Sequence, residues 1–233
     1  MEKQYDIIVI GGGLLGCATA YQLAKRKAGR ILLLERNDIA SQATSRAACL
    51  LTRARTKRIL MPLVQETYDC IEEIEQLTGE SLGLQMCGSI TIASSETSQK
   101  GLDELEAAAD SFGIPNEHIS KERLKQLLPW IETTYVNDAL YMPTDAFIDS
   151  ALLCSGYAQA ARILGVDVCS HVEVEEICTS SDKVIGVRLS DGVFIESSTV
   201  VNAAGAWCNL LMKPLGLGIP FTPVRSHFWI TEL

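Results

Sequence analysis

A chain of 233 residues, 47% hydrophobic and 21% charged, is long enough for a sizeable core in one large domain or two smaller ones. Its formal net charge of −9 argues against nucleic acid, which calls for a basic stripe. Without a basic leader followed by a long apolar segment, or any run of about 18 consecutive apolar residues, export and membrane spanning are both disfavoured.

The first element is the apolar, β-branched run Ile7 to Ile10, the pattern of a parallel strand buried on both faces. Gly11, Gly13 and Gly16 follow as G-x-G-x-x-G, and a helix is predicted over residues 14–27. Such a turn lets backbone approach phosphate oxygens and aims the helix N-terminus at a dinucleotide diphosphate. A second apolar run, Ile31 to Leu34, ends in Glu35, about 20 residues past the turn, where a carboxylate accepts hydrogen bonds from a ribose. The order strand, glycine turn, helix, strand and acid reads as a Rossmann-like unit.

A loop of small and hydroxyl residues, ASQATSRAACLL, comes next and is placed to close over a cofactor. Arg53, Arg55, Lys57 and Arg58 form a local basic cluster, read as a solvated face or a neighbour of phosphate. Helices are predicted over residues 57–77, 102–112 and 121–128, the last opened by Ser120 and stopped by Pro129, with a strand over 88–93. This middle section reads as an inserted domain forming a wall over the cofactor. A helix over 148–164 returns to the nucleotide domain. Strand segments follow from Val166 to Ile177, then a hairpin turned at Asp191-Gly192, then the buried strand Thr199 to Asn202 leading into Ala203, Ala204, Gly205, Ala206 and Trp207.

Eight cysteines, at positions 17, 49, 70, 87, 154, 169, 178 and 208, make no C-x-x-C pair and no metal-ligand spacing. Scattered thiols of this kind fit a cytoplasmic compartment, and no metal site is expected. His118, His171 and His227 have no nucleophile or carboxylate arranged around them by a recognisable motif, and are taken as surface or packing residues.

The glycine turn with Glu35, the loop ASQATSRAACLL, the segment around Val174 and VVNAAGAW together resemble the D-amino-acid oxidase superfamily of flavoproteins. Within it the likeness is to the glycine oxidase, sarcosine oxidase and dimethylglycine dehydrogenase group, and it extends over nearly the whole chain. The resemblance implies FAD rather than NAD. It assigns the FAD diphosphate to Gly11, Gly13, Leu14, Leu15 and Gly16, and the ribose to Glu35 with Arg36 beside it. The diphosphate and flavin fall also to Thr44, Ser45, Ala47 and Ala48, and the adenine to the backbone of Val174. Gly205 marks the last approach of the sheet to the cofactor. Arg46 is the one candidate for a catalytic role near the flavin ring.

The fold implied is α/β: a discontinuous FAD-binding domain with a parallel sheet, residues 1–52 and 145–212, and an inserted, incomplete α+β substrate domain, residues 53–144 and 213–233. The reaction implied is removal of hydride from a carbon bearing an amine, giving an imine that water hydrolyses, on a sarcosine-, glycine- or proline-like substrate. ASQATSR also resembles the loop of flavin-dependent glycerol-3-phosphate dehydrogenases, which keeps alcohol substrates open. With no histidine between Ala40 and Leu51, a covalent histidyl-flavin link is not implied, and Cys49 stands where members of the group have glycine. PVRSHFWITEL resembles a strand re-entering the substrate domain, so the expectation is the N-terminal portion of a larger protein. Such a chain would be silent alone, would leave an apolar strand edge at Phe228 to Leu233 that favours homo-oligomers, and would be completed by a missing C-terminal half or a partner subunit.

Overall fold

The computed structural model describes residues 2–225 and 227. In chain order the strands are β1 (Ile7–Ile10), β2 (Ile31–Leu34), β3 (Leu50–Leu51), β4 (Ser89–Ala93), β5 (Glu117–His118) and β6 (Asp138–Met142), then β7 (Ala146–Phe147), β8 (Asp167–Cys169), β9 (Val174–Ser180), β10 (Lys183–Leu189), β11 (Phe194–Glu196) and β12 (Thr199–Asn202). The helices are α1 (Leu14–Lys25), α2 (Met61–Thr78), α3 (Glu96–Ser111), α4 (Lys121–Leu127), α5 (Ser150–Ile163) and α6 (Cys208–Met212). The chain divides into two compact units.

The first unit comprises the residues up to Ala48, Ile74–Leu82 and the chain from Asp149 onward. Its centre is a parallel sheet in the order β12-β1-β2-β8. Every residue of β1 and β2 is buried, which is why both read as unbroken apolar runs. On one face, Ile8, Ile10, Leu32 and Leu34 share a core with Ile177, Val187, Leu189 and Ile195 of the antiparallel sheet β11-β10-β9. Burying each such side chain contributes roughly 1.5–3 kcal/mol. Elsewhere in the unit α1 packs on α5, with Tyr21 and Tyr157 edge to face at 5.6 Å. Asp149 caps α5 by accepting from Ala151 N and Leu152 N.

Residues from Lys213 were expected in the substrate domain. Instead the 3₁₀ turn Lys213–Leu215 continues α6, and Leu215 joins the core of the first unit. The expected strand at Phe228 to Leu233 lies outside the described residues.

The second unit comprises Cys49–Glu73 and Gly83–Ile148. Its sheet runs β4-β6-β5, antiparallel throughout, and carries α3 on Ala93, Leu102, Ala109, Leu140 and Met142. α4 closes a smaller cluster through Leu124, Val136 and Ala139, and Ser120 caps it by accepting from Arg123 N at 3.2 Å. The basic cluster expected to be solvated is only partly so. Arg55, Lys57 and Arg58 are exposed, but Arg53 is half-buried, its guanidinium 3.7 Å from the Tyr68 ring centroid and its Nε donating to Thr144 O. Buried Asp145 ties this segment to β4, accepting from Arg53 N and from Ser89 Oγ, each at 2.7 Å.

His118 in β5 has a carboxylate on each ring nitrogen: Asp138 Oδ1 at 2.8 Å from Nδ1 and Glu106 Oε1 at 3.0 Å from Nε2. The hydrogen bond to Asp138 is the main cause of a pKa raised above 6.5, partial burial opposes it, and Glu106 reinforces it. A group whose folded pKa is raised stabilises the fold fully below its unfolded pKa and loses that contribution as pH rises through the folded value. The wild type is therefore expected to exceed His118→Asn in thermal midpoint below pH 6.5, by a small margin because the site is largely exposed, and to lose that margin above it. A difference independent of pH would show that the imidazolium does not form there.

Candidate functional site

The site forms where the parallel sheet of the first unit runs out. Ile10, Leu34 and Ala203, at the carboxyl ends of β1, β2 and β12, border a cavity of about 500 Å³, the position at which open parallel sheets bind their ligands.

Local geometry explains the glycine spacing. Gly11 has φ +112°, and a Cβ there would lie 2.4 Å from Ala203 O. A Cβ on Gly16 would lie 1.8 Å from Gly11 O, so α1 starts hard against the turn. Gly13 forms the extended N-cap of α1, with no side chain capping the helix. The Leu14 N–H donates to Thr44 Oγ1 at 3.0 Å. Among the described residues the N–H groups of Gly13 and Leu15 have no partner, and both residues line the cavity. No acidic residue occupies the first turn of α1. Free N–H groups at the positive end of a helix favour an anion.

Glu35 stands across the turn. Its Oε2 accepts from Gly12 N at 2.7 Å and its Oε1 from Asn37 N at 2.8 Å, and the residue lines the cavity. Each carboxylate oxygen keeps a second acceptor position for a hydroxyl. Beside it the Arg36 guanidinium lies 4.3 Å from the Trp207 ring and 3.9 Å from Glu173.

Of the residues singled out from sequence, Gly11, Gly13, Leu14, Leu15, Glu35, Arg36, Thr44, Val174 and Gly205 share this one cavity. Gly16 stands behind it as a packing residue. Ser45, Ala47 and Ala48 lie exposed on the same loop and do not line it. Arg46 is also exposed, and its Nη1 donates to Gln42 Oε1 at 3.1 Å. Gly205 has φ +53° and opens a 3₁₀ turn, but a Cβ there would meet nothing within 4 Å. A separate close approach of backbone to backbone occurs at Ala203, whose carbonyl faces Gly11.

Ser41 was not singled out. Its Oγ is buried without a partner, and the residue lines the cavity. It belongs to the hydroxyl-rich loop ASQATSRAACLL, but nothing in that sequence sets it apart from the other hydroxyl residues of the loop. Val172, Ser190 and Trp207 also line the cavity, brought there by the segment leading into β9, by the residue following β10 and by the turn after β12.

A dinucleotide fits these residues: unpaired N–H groups and an orphaned hydroxyl for a diphosphate, a carboxylate for a ribose, and apolar walls from Ile10, Leu34 and Leu211. Among the described residues no group of three or more His, Cys, Asp or Glu side chains is arranged to hold a metal, and no helix is long and apolar enough to cross a membrane.

Comparison with known proteins gives the same direction. The family model described as "FAD dependent oxidoreductase" matches residues 6–233. A 4-methylaminobutanoate oxidase (formaldehyde-forming) of Paenarthrobacter nicotinovorans is 30% identical over 213 residues, 91% of this chain and 26% of that protein. Glycine oxidase of Geobacillus kaustophilus is 28% identical over 234 residues, 97% of this chain and 61% of that one. The crystal structure of glycine oxidase from Geobacillus kaustophilus superposes with a TM-score of 0.79 at 27% identity, covering 93% of this chain and 60% of that one. The chain thus spans about a quarter of the length of the first relative and about three fifths of the second. With the glycine turn, the acid and the cavity in these places, and with a family match over nearly its whole length, the chain belongs to the FAD dependent oxidoreductase family typified by D-amino-acid oxidase.

Proposed function

We propose that the chain carries the FAD-holding part of an oxidoreductase that oxidises the C–N bond of a small amine or amino acid of the sarcosine, glycine or proline kind. The cavity at the ends of β1, β2 and β12 carries this reading, with unpaired N–H groups on one side and Glu35 on the other. Bound FAD would supply the acceptor for a hydride from the substrate carbon. The protein's own part is position and electrostatics. Gly13 and Leu15 N–H with Ser41 hold the diphosphate, the Gly11 and Gly16 packing shapes the turn, Glu35 takes the ribose hydroxyls with Arg36 at the rim, and Val174 backs the adenine. Thr44 fixes the start of α1, and Ser45, Ala47 and Ala48 carry the loop on toward the flavin. Arg46, on the exposed loop, supplies positive charge near the ring.

The first unit acts as the FAD-binding domain and the second as part of a substrate domain. The relatives named for 4-methylaminobutanoate and glycine support an amine substrate. A cytoplasmic location rests on the scattered cysteine spacing alone.

FAD is expected to bind the Gly11 to Gly16 turn in preference to NAD, since NAD domains have no use for the Thr44 to Ala48 loop. Titration of the purified protein with both tests this, and tight NAD binding without FAD binding would overturn it. An absorption spectrum, then anaerobic addition of sarcosine, glycine, proline and glycerol 3-phosphate, reads the chemistry: bleaching by one of the amines is the expected result, and bleaching by glycerol 3-phosphate alone would move the reading to an alcohol dehydrogenase.

A second reading is a flavin-binding subunit without turnover. One relative favours it: the mouse pyruvate dehydrogenase phosphatase regulatory subunit, mitochondrial, is 30% identical over 234 residues, all of this chain and 26% of that protein. Flavin bands that persist under every substrate would support this second reading.

A further inference from the structure

Beneath the glycine turn lie two side chains that the cofactor reading does not use. Cys17 on α1 and Cys154 on α5 are both fully buried, and both direct their sulfur to one acceptor, Gly12 O, each at 3.5 Å. The Ala40 N–H reaches the same oxygen at 3.0 Å. On its other side Gly12 is held through its own N–H, which donates to Glu35 Oε2.

A trans peptide is planar, so a carbonyl and the N–H of the next residue point in opposite directions. Drawing the Gly12 carbonyl toward the thiols therefore turns the Gly13 N–H away from them. That N–H is one of the two left without a protein partner in residues that line the cavity. We propose that Cys17 and Cys154 are positioning residues for the diphosphate: by donating to the Gly12 carbonyl, they hold the Gly12–Gly13 peptide so that the Gly13 N–H faces the bound anion. This deepens the cofactor reading above and rests on it.

The chemistry suits thiols. A donor is needed, and the Cys17 thiol keeps its proton because the neighbouring Cys154 thiol, and then burial, push its pKa far above the ordinary range. The S–H is also a weak donor with a long reach, suited to two helices meeting beneath a turn, and it leaves the carbonyl's main bond to Ala40 intact.

The test is calorimetric titration of the 233-residue protein with FAD and with ADP, which carries the diphosphate without the flavin. Cys17→Ala and Cys154→Ala are each expected to weaken both ligands about three- to tenfold. Cys17→Ser and Cys154→Ser retain a donor whose shorter bond must draw in slightly, and are expected between alanine and wild type. Cys178→Ala removes another buried thiol of the same unit. It serves as the control for general loosening and should leave ADP binding at the wild-type value. Alanine variants that bind ADP like wild type, serine variants no better than alanine, or a Cys178→Ala loss of equal size would each overturn the proposal. A wild type that binds neither FAD nor ADP would overturn the cofactor reading itself, a separate and recognisable failure.

Discussion

Gly16→Ala is expected to leave little folded protein. The added carbon would fall 1.8 Å from Gly11 O, and that oxygen belongs to a turn that cannot retreat. Gly11 is held by its own N–H, which donates to Leu34 O at 2.8 Å, and by its contact with Ala203. Relief requires moving α1 off the sheet, which would open the α1–α5 packing. Overpacking against backbone belongs to the exceptional class of substitutions, costing on the order of 4 kcal/mol or more. Domains are stable by only about 5–15 kcal/mol, so most of the margin is lost. Gly13→Ala is the matched control, because its added carbon meets only Thr44 Oγ1, at 3.3 Å. In urea denaturation Gly13→Ala should unfold near the wild-type midpoint and Gly16→Ala far below it. A wild-type midpoint for Gly16→Ala would mean that the helix is not seated against the turn.

Glu35→Ala carries the second large effect, and it acts twice. On the proposed reading the carboxylate would give up its bonds to the ribose hydroxyls, charge-assisted bonds each contributing about 1.5–3 kcal/mol. It also releases Gly12 N and Asn37 N, loosening the turn from one side and the loop from the other. FAD affinity is expected to fall tenfold or more, about 1.4 kcal/mol per decade. Glu35→Gln is expected to fall between, because an amide oxygen accepts from one of the two backbone donors without the charge. Fluorescence titration of FAD into the three proteins reads this directly. An unchanged dissociation constant for Glu35→Ala would confine the carboxylate to holding its two backbone N–H groups.

The sheet of the first unit was legible because its physics is local. Strands buried on both faces must be apolar at every position, so Ile7–Ile10 and Ile31–Leu34 declare themselves, and the glycines that let α1 sit on the turn declare the helix start. β6 was missed because Asp138–Met142 mixes buried and half-buried positions without alternation. β3 and β7, two residues each, are defined only by pairing with each other. α3 begins at Glu96, where Leu102 had been expected, because Ser95 and Ser98 cap each other reciprocally ahead of an exposed first turn that has no apolar rhythm. The cavity was legible where backbone shape makes it and illegible where tertiary packing does. The orphaned hydroxyl of Ser41, the Arg36–Trp207 stack and the two thiols under Gly12 each depend on segments distant in sequence. Arg53 was visible as a charge, but its place over the Tyr68 ring was not.

The order of the parallel sheet governs how the protein is made. β1 lies between β2 and β12, and Ile7 pairs with Thr199, 192 residues further along the chain. During synthesis β1, α1 and β2 emerge before β12, and the strand that covers the other side of β1 arrives only after the residues of the entire second unit have been translated. Until then a fully apolar strand waits with an open edge. Contacts so far apart in sequence are slow to close, because the entropy of the intervening loop must be overcome before the pairing returns anything. The nascent chain thus passes through a long interval in which its ligand-binding turn exists without the wall formed by Ala203 to Trp207, and its β1 edge is open to whatever other strand it meets.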